Sequence, residues 1–142
     1  MGCDIHAHIE IRFNGKWEHY AIPRIERWYE LFGIMAGVRG DGPAIVEPKG
    51  LPNDISVVTR MDYERMSEDA HTPSWFNEHE IDGLEKWLQH DNFQSTRRFV
   101  SLEHDLLKTY LFGNGITDHL RYEDCVLPDG CDAVRLVFWF DN

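Results

Sequence analysis

Cys3-Asp4-Ile5-His6-Ala7-His8-Ile9-Glu10-Ile11-Arg12-Phe13 alternates without a break. Cys3, Ile5, Ala7, Ile9, Ile11 and Phe13 make one row, and Asp4, His6, His8, Glu10 and Arg12 make the other. Successive side chains of a strand point to opposite faces, so this period of two predicts a strand with one buried face. Asn14-Gly15 follows at once, and both residues tolerate the positive φ that a tight hairpin needs. Lys16 to Ile22 then return as a second strand, which Pro23 ends or marks as an edge. A two-residue turn sets Phe13 opposite Lys16 and Arg12 opposite Trp17, which stands Trp17 on the polar face as a pocket wall. A three-residue turn pairs Phe13 with Trp17 instead, and the sequence leaves both registers open.

Further along, Trp28, Leu31, Phe32 and Met35 recur at helical spacing and predict a helix over 25–38, stopped by Gly37 and the run Arg39-Gly40-Asp41-Gly42-Pro43. Residues 40–55 read as a long Gly/Pro loop, a length more often functional than a plain connection. Ser56 is placed to cap a short helix through Met66, and 67–76 read as a second loop. Asn77 with Glu80 three residues on predicts a capped helix of 78–90. Another helix is expected near 99–112. A final hairpin is expected, with Tyr122 to Leu127 as one strand, Pro128-Asp129-Gly130 as the turn, and Asp132 to Phe140 as the other strand. That last strand is apolar on both faces and belongs in the middle of a sheet. Strands at both ends with helices between them predict an α+β fold. Its antiparallel sheet would contain both terminal strands, with three to four helices packed on one face.

The 142 residues argue for a single globular domain spanning 1–142. Five Trp and 13% aromatic content are too rich for a disordered chain. A net charge of -11 argues against duplex nucleic acid and anionic membranes as partners, because both need a basic face. No apolar run approaches the ~20 residues of a membrane span. Three cysteines without an export signal or a Cys-x-x-Cys pair point to reduced thiols in a cytoplasm.

Asp4, His6 and His8 project from one strand face, so two imidazoles and a carboxylate are available to one divalent metal: zinc, manganese or magnesium. The competing readings are a solvated polar row, continued by Glu10 and Arg12, and a metal-free polar site in which His6 is a general base. Asp69 and His71 sit in the polar loop with Trp75, either as further ligands or an acid–base pair, or as part of a helix entry. Arg39 enters a Gly-rich loop, where it can contact an anion or oppose the helix dipole. Arg135, a charge in an apolar central strand, needs a carboxylate partner or reaches into a site. One shared site would bring Asp4, His6 and His71 within about 10 Å of one another.

Several stretches carry a family resemblance: Met1-Gly2-Cys3-Asp4-Ile5-His6, Trp28-Tyr29-Glu30-Leu31-Phe32 with Ala36-Gly37-Val38-Arg39, Glu47 to Ser56, Asp69 to Trp75, and Val134 to Asn142. With them the chain resembles a family of small uncharacterised proteins of phages, prophages and bacteria. Ala70 and Thr72 depart from the Gly and Ser usual there. The resemblance implies a phage or prophage setting and the host cytoplasm, and supplies no biochemical activity. The leading expectation is a metal-dependent hydrolase of a small phosphorylated or nucleotide-like substrate. Asp4, His6 and His8 would hold the metal, Asp69 and His71 would act catalytically, and Arg39, Trp75 and Arg135 would bind substrate. The alternative is a non-catalytic phage protein that sequesters a host signalling nucleotide or blocks a host defence protein, with Trp17, Trp75 or Trp139 stacking on a base. Either way the expected partner is a small anionic molecule, and a homo-oligomer stays open.

Overall fold

The structure, a computed structural model, describes residues 2–23, 25, 27–87 and 130–141. Among these residues four strands form one sheet: β1 (Asp4–Phe13), β2 (Lys16–Ala21), β3 (Ala70–Phe76) and β4 (Cys131–Asp141). Their spatial order is β2-β1-β4-β3, and every neighbouring pair is antiparallel. Among the described residues three α-helices accompany them: α1 (Tyr29–Ala36), α2 (Val57–Met66) and α3 (Glu78–Trp87). Strands β1 and β4, the two terminal strands, pair side by side from Asp4↔Asp141 to Phe13↔Cys131. The helix expected at 99–112, the strand expected at Tyr122–Leu127 and the end of the helix expected at 78–90 lie outside the described residues.

The alternation in β1 sorts the sheet into two faces. Ile5, Ala7, Ile9 and Ile11 meet Val134, Leu136, Phe138 and Phe140 of β4 and Phe76 of β3. Leu31, Phe32 and Met35 of α1 and Ile81 and Leu84 of α3 close this core. Side chains as large and as buried as Phe32, Phe138 and Phe140 contribute about 1.5–3 kcal/mol each through area removed from water. Helix α1 ends where Gly37 adopts φ 74°, its N–H donating to Gly33 O and the Val38 N–H to Phe32 O. The loop beyond it folds back, and Gly40 lies against Gly33 so closely that a Cβ on either would strike the other's backbone.

The hairpin turn is the two-residue form. Asn14 and Gly15 hold φ of 53° and 76°, and Phe13 opposes Lys16 while Arg12 opposes Trp17. Trp17 therefore stands on the polar face.

Two expectations need correction. Helices lie on both faces of the sheet, not one: α1 and α3 cover the apolar core, whereas Tyr63 and Met66 of α2 pack with Ile55, Val137 and Trp139 on the other face. The reason is chemical. The polar row of β1 offers hydrogen-bond partners that match Ser56, Thr59 and Asp62, so α2 docks through polar contacts beside that apolar packing. Residues 67–76, expected as a loop, are a turn of 3-10 helix (Ser67–Asp69) followed by β3. Pro73 fits because β3 is an outer strand of the described sheet, where a missing N–H is tolerated, and a bulge between His71 and Ser74 absorbs Thr72 at φ 53°.

Candidate functional site

The polar face divides into three neighbourhoods. At one end Arg27 grips the Asp4 carboxylate with two hydrogen bonds of 2.9 and 3.0 Å, and this holds Asp4 below the usual carboxylate range. His6 Nε2 lies 2.7 Å from Asp141 Oδ2, and its ring stacks on Trp139. In the middle His8 is 1% exposed. Its Nε2 meets Asp62 Oδ2 at 2.8 Å and its Nδ1 meets His19 Nε2 at 3.0 Å. Burial pushes both imidazoles below their ordinary pKa, which outweighs the pull of nearby carboxylates.

Glu10, next along, is fully buried. Burial alone would raise its carboxyl, but hydrogen bonds from Ser56, Thr59 and Arg135 overcome that and hold it low. The Ser56 N–H donates to Glu10 at 3.0 Å, and the Ser56 hydroxyl sits against the same oxygen. So the α2 entry expected at Ser56 is anchored by a carboxylate from β1. Arg135, 2% exposed, donates from Nε to Glu10 at 2.8 Å and from Nη1 to Asp54 at 2.8 Å. Its hydrogen bond in turn holds the Asp54 carboxyl down.

Past Arg135 the face opens into a cleft of about 940 Å³. Trp17 of β2 and Trp75 of β3 are among its lining residues. The Arg135 guanidinium lies 4.0 Å from the Trp17 ring centroid and 5.8 Å from that of Trp75. Lys49 Nζ sits 3.6 Å from the Trp75 centroid, and Arg12 reaches within 5.7 Å of Trp17. The loop 47–51 is strapped to β3 by Gly50 N–H donating to Pro73 O and Lys49 N–H donating to the Ser74 hydroxyl, which is what fixes Lys49 there. The side chains of Arg12 and Lys49 also touch the carboxylates of Asp132 and Glu80. Indole faces joined to guanidinium and ammonium groups suit a flat aromatic molecule that carries negative charge.

The expected site residues do not form one cluster. Asp4, His6 and His8 each face a different protein partner, and both ring nitrogens of His8 are engaged. Among the described residues no group of three or more His, Cys, Asp or Glu is arranged to hold a metal ion. The donor set therefore does not fit the zinc, manganese or magnesium expected from strand spacing. His71 pairs with Phe140 and stacks on its ring, on the apolar face, whereas His6 pairs with Trp139 on the polar face. Cross-strand partners share a face, so the sheet separates the two imidazoles and the single-site expectation fails. Asp69 is exposed in the 3-10 turn. Arg39 lies over the Tyr29 ring in a separate hollow beside α1. Trp75 and Arg135 do come together, in the cleft with Trp17. Sequence reasoning missed Lys49, Asp54, His19 and Asp62. For His19 a signal existed, because the two-residue turn sets it opposite Glu10 on the polar face.

Comparison with known protein families, with curated proteins and with solved structures finds no match to this chain.

Proposed function

We propose that the chain is a binding protein for a small nucleotide-like anion, held in the cleft between Trp17 and Trp75 without a metal. The observation that carries this reading is the pair of indoles with Arg135, Arg12 and Lys49 on them, in a cleft of ligand size. A base stacks on an indole, and Arg12 and Lys49 at the rim take its phosphates by exchanging their present carboxylate partners. The metal-dependent hydrolase has less support, because its three donors are held apart by Arg27, Asp141, His19 and Asp62. With the family that the chain resembles, the ligand belongs to a phage-infected or prophage-bearing cell, in its cytoplasm.

The test is calorimetry of the full chain in EDTA against ribonucleotides and cyclic dinucleotides. W17A and W75A should each weaken binding roughly 5- to 150-fold, the value of one stacked base. Binding unchanged in both variants, or no nucleotide bound at millimolar concentration, overturns the reading.

A further inference from the structure

On the other side of Trp17 lies a second cleft, of about 370 Å³, between β2 and the start of α2. His19 is in its wall, with Lys16 and Arg60 as its cations. Behind His19 runs a line of hydrogen bonds, His19 to His8 to Asp62. The direction of its protons follows from the chemistry of the groups. A carboxylate accepts, so His8 Nε2 carries a hydrogen. A neutral His8, favoured by its burial, then accepts at Nδ1, so His19 donates from Nε2. The lone pair of His19 is left on Nδ1, for which no protein hydrogen-bond partner is found among the described residues.

We propose that His19 is the general base of a metal-free phosphoester-hydrolysing site in this second cleft, with His8 and Asp62 as positioning residues. His19 Nδ1 takes a proton from water as the water oxygen bonds to phosphorus. The bond from phosphorus to the leaving oxygen breaks on the opposite side, where solvent water protonates that oxygen, and His19 releases the proton it took to solvent. The imidazolium formed in between is steadied through His8 by the Asp62 carboxylate, the logic by which an acid behind a histidine base works elsewhere. Lys16 and Arg60 offer positive charge to the phosphoryl oxygens. Trp17 and Asp54 line both clefts, so a nucleotide stacked on Trp17 presents its phosphoester to His19. The choice of substrate rests on the binding reading above; the hydrogen-bonded line does not.

The charged groups around His19 are Glu10 of β1, Asp62 and Arg60 of α2, Asp54 before α2, and Lys16 and Glu18 on β2. The experiment incubates the full chain in EDTA with bis(4-nitrophenyl) phosphate and, separately, with cyclic dinucleotides followed by mass. Turnover should rise through one basic limb below pH 6.5, the ordinary imidazole value, because His19 is lowered from it. H19Q should lower kcat about 10²- to 10⁴-fold, as for loss of a general base. D62N should lower kcat less, move the pH limb and leave KM unchanged, which a merely structural role would not do. The wild-type limb keeps the test valid if H19Q fails to fold: turnover without that limb overturns the proposal. So does turnover that a folded H19Q retains. Cyclic dinucleotides that bind but return intact, with the diester also uncleaved, overturn the hydrolytic proposal and leave the binding reading standing. Diester cleavage that H19Q abolishes, with no nucleotide bound, supports the hydrolytic proposal and overturns the binding reading.

Discussion

The two faces of the sheet are built from alternate residues of the same strands, yet they are held by different physics. On one face Ile9, Leu136 and Phe138 meet α1 and α3 through shape and apolar area alone. On the other, Glu10, Arg135, His8 and Asp62 are satisfied by polar partners: one another, Ser56, Thr59, Asp54, His19 and Arg65. Truncating an apolar side chain leaves a hole whose cost depends on its size. Removing a polar partner orphans a second group, so its cost is set by what remains.

Two substitutions of similar size expose that difference. F138A and R135M should each destabilise the protein by about 3–5 kcal/mol in urea unfolding, the first by a cavity and the second by stranding buried Glu10. Adding E10Q to R135M should recover about 1–3 kcal/mol, because the amide still accepts from Ser56 and carries no charge. No recovery would mean that the two faces fail in the same way. G33A comes next. Alanine is the better helix former, but its Cβ strikes Gly40, so a loss of about 1–3 kcal/mol is expected, and a gain would show that the loop moves freely.

Acid should attack the polar face first. His8 and His19 are lowered in the folded protein, so below pH 6.5 the unfolded chain binds more protons and stability falls. Each imidazole adds a slope of at most about 1.4 kcal/mol per pH unit, its contribution present in full above pH 6.5 and lost as pH drops toward the folded values. Glu10 and Asp54 are also lowered, and their contribution is lost in a second window, beginning near the ordinary carboxyl values of 4.5 and 3.8. Unfolding free energies that stay flat from about pH 7 to 5 would contradict the first window. The smallest effect belongs to N77A. Asn77 and Glu80 exchange hydrogen bonds of 2.9 Å at the start of α3, and losing one should cost about 1 kcal/mol in thermal melting.

What the sequence disclosed was what neighbours decide. Strand β1, the Asn14-Gly15 turn, the end of α1 near Gly37 and the Asn77–Glu80 cap all rest on residues within a few positions of each other, and all are present. The pairing of first and last strands was legible because both were unmistakably strands and the last was apolar throughout. Strand β3 was hidden by Thr72-Pro73, which read as a loop, although the bulge there lets the strand continue. The site was harder. Arg135 and Trp75 were singled out by type, but Lys49 reaches Trp75 only because a loop is tied to β3. Helix α2 presents Thr59, Asp62, Tyr63 and Met66 to the sheet, a mixed stripe that hydropathy does not recognise as buried.

The pairing of Asp4 with Asp141 also sets the order of events during synthesis. At about 5–20 residues per second, roughly 7–30 s separate the emergence of these two partners from a ribosome. Throughout that interval β1 has only β2 beside it, with Ile5, Ile9 and Ile11 lacking the strand that covers them. Pairings this distant along the chain are slow to form, and an uncovered strand edge invites other chains. The last strand thus supplies, in one late step, the middle of the apolar core and the arginine that lines the cleft, so a nascent chain gains its stability and its cleft together.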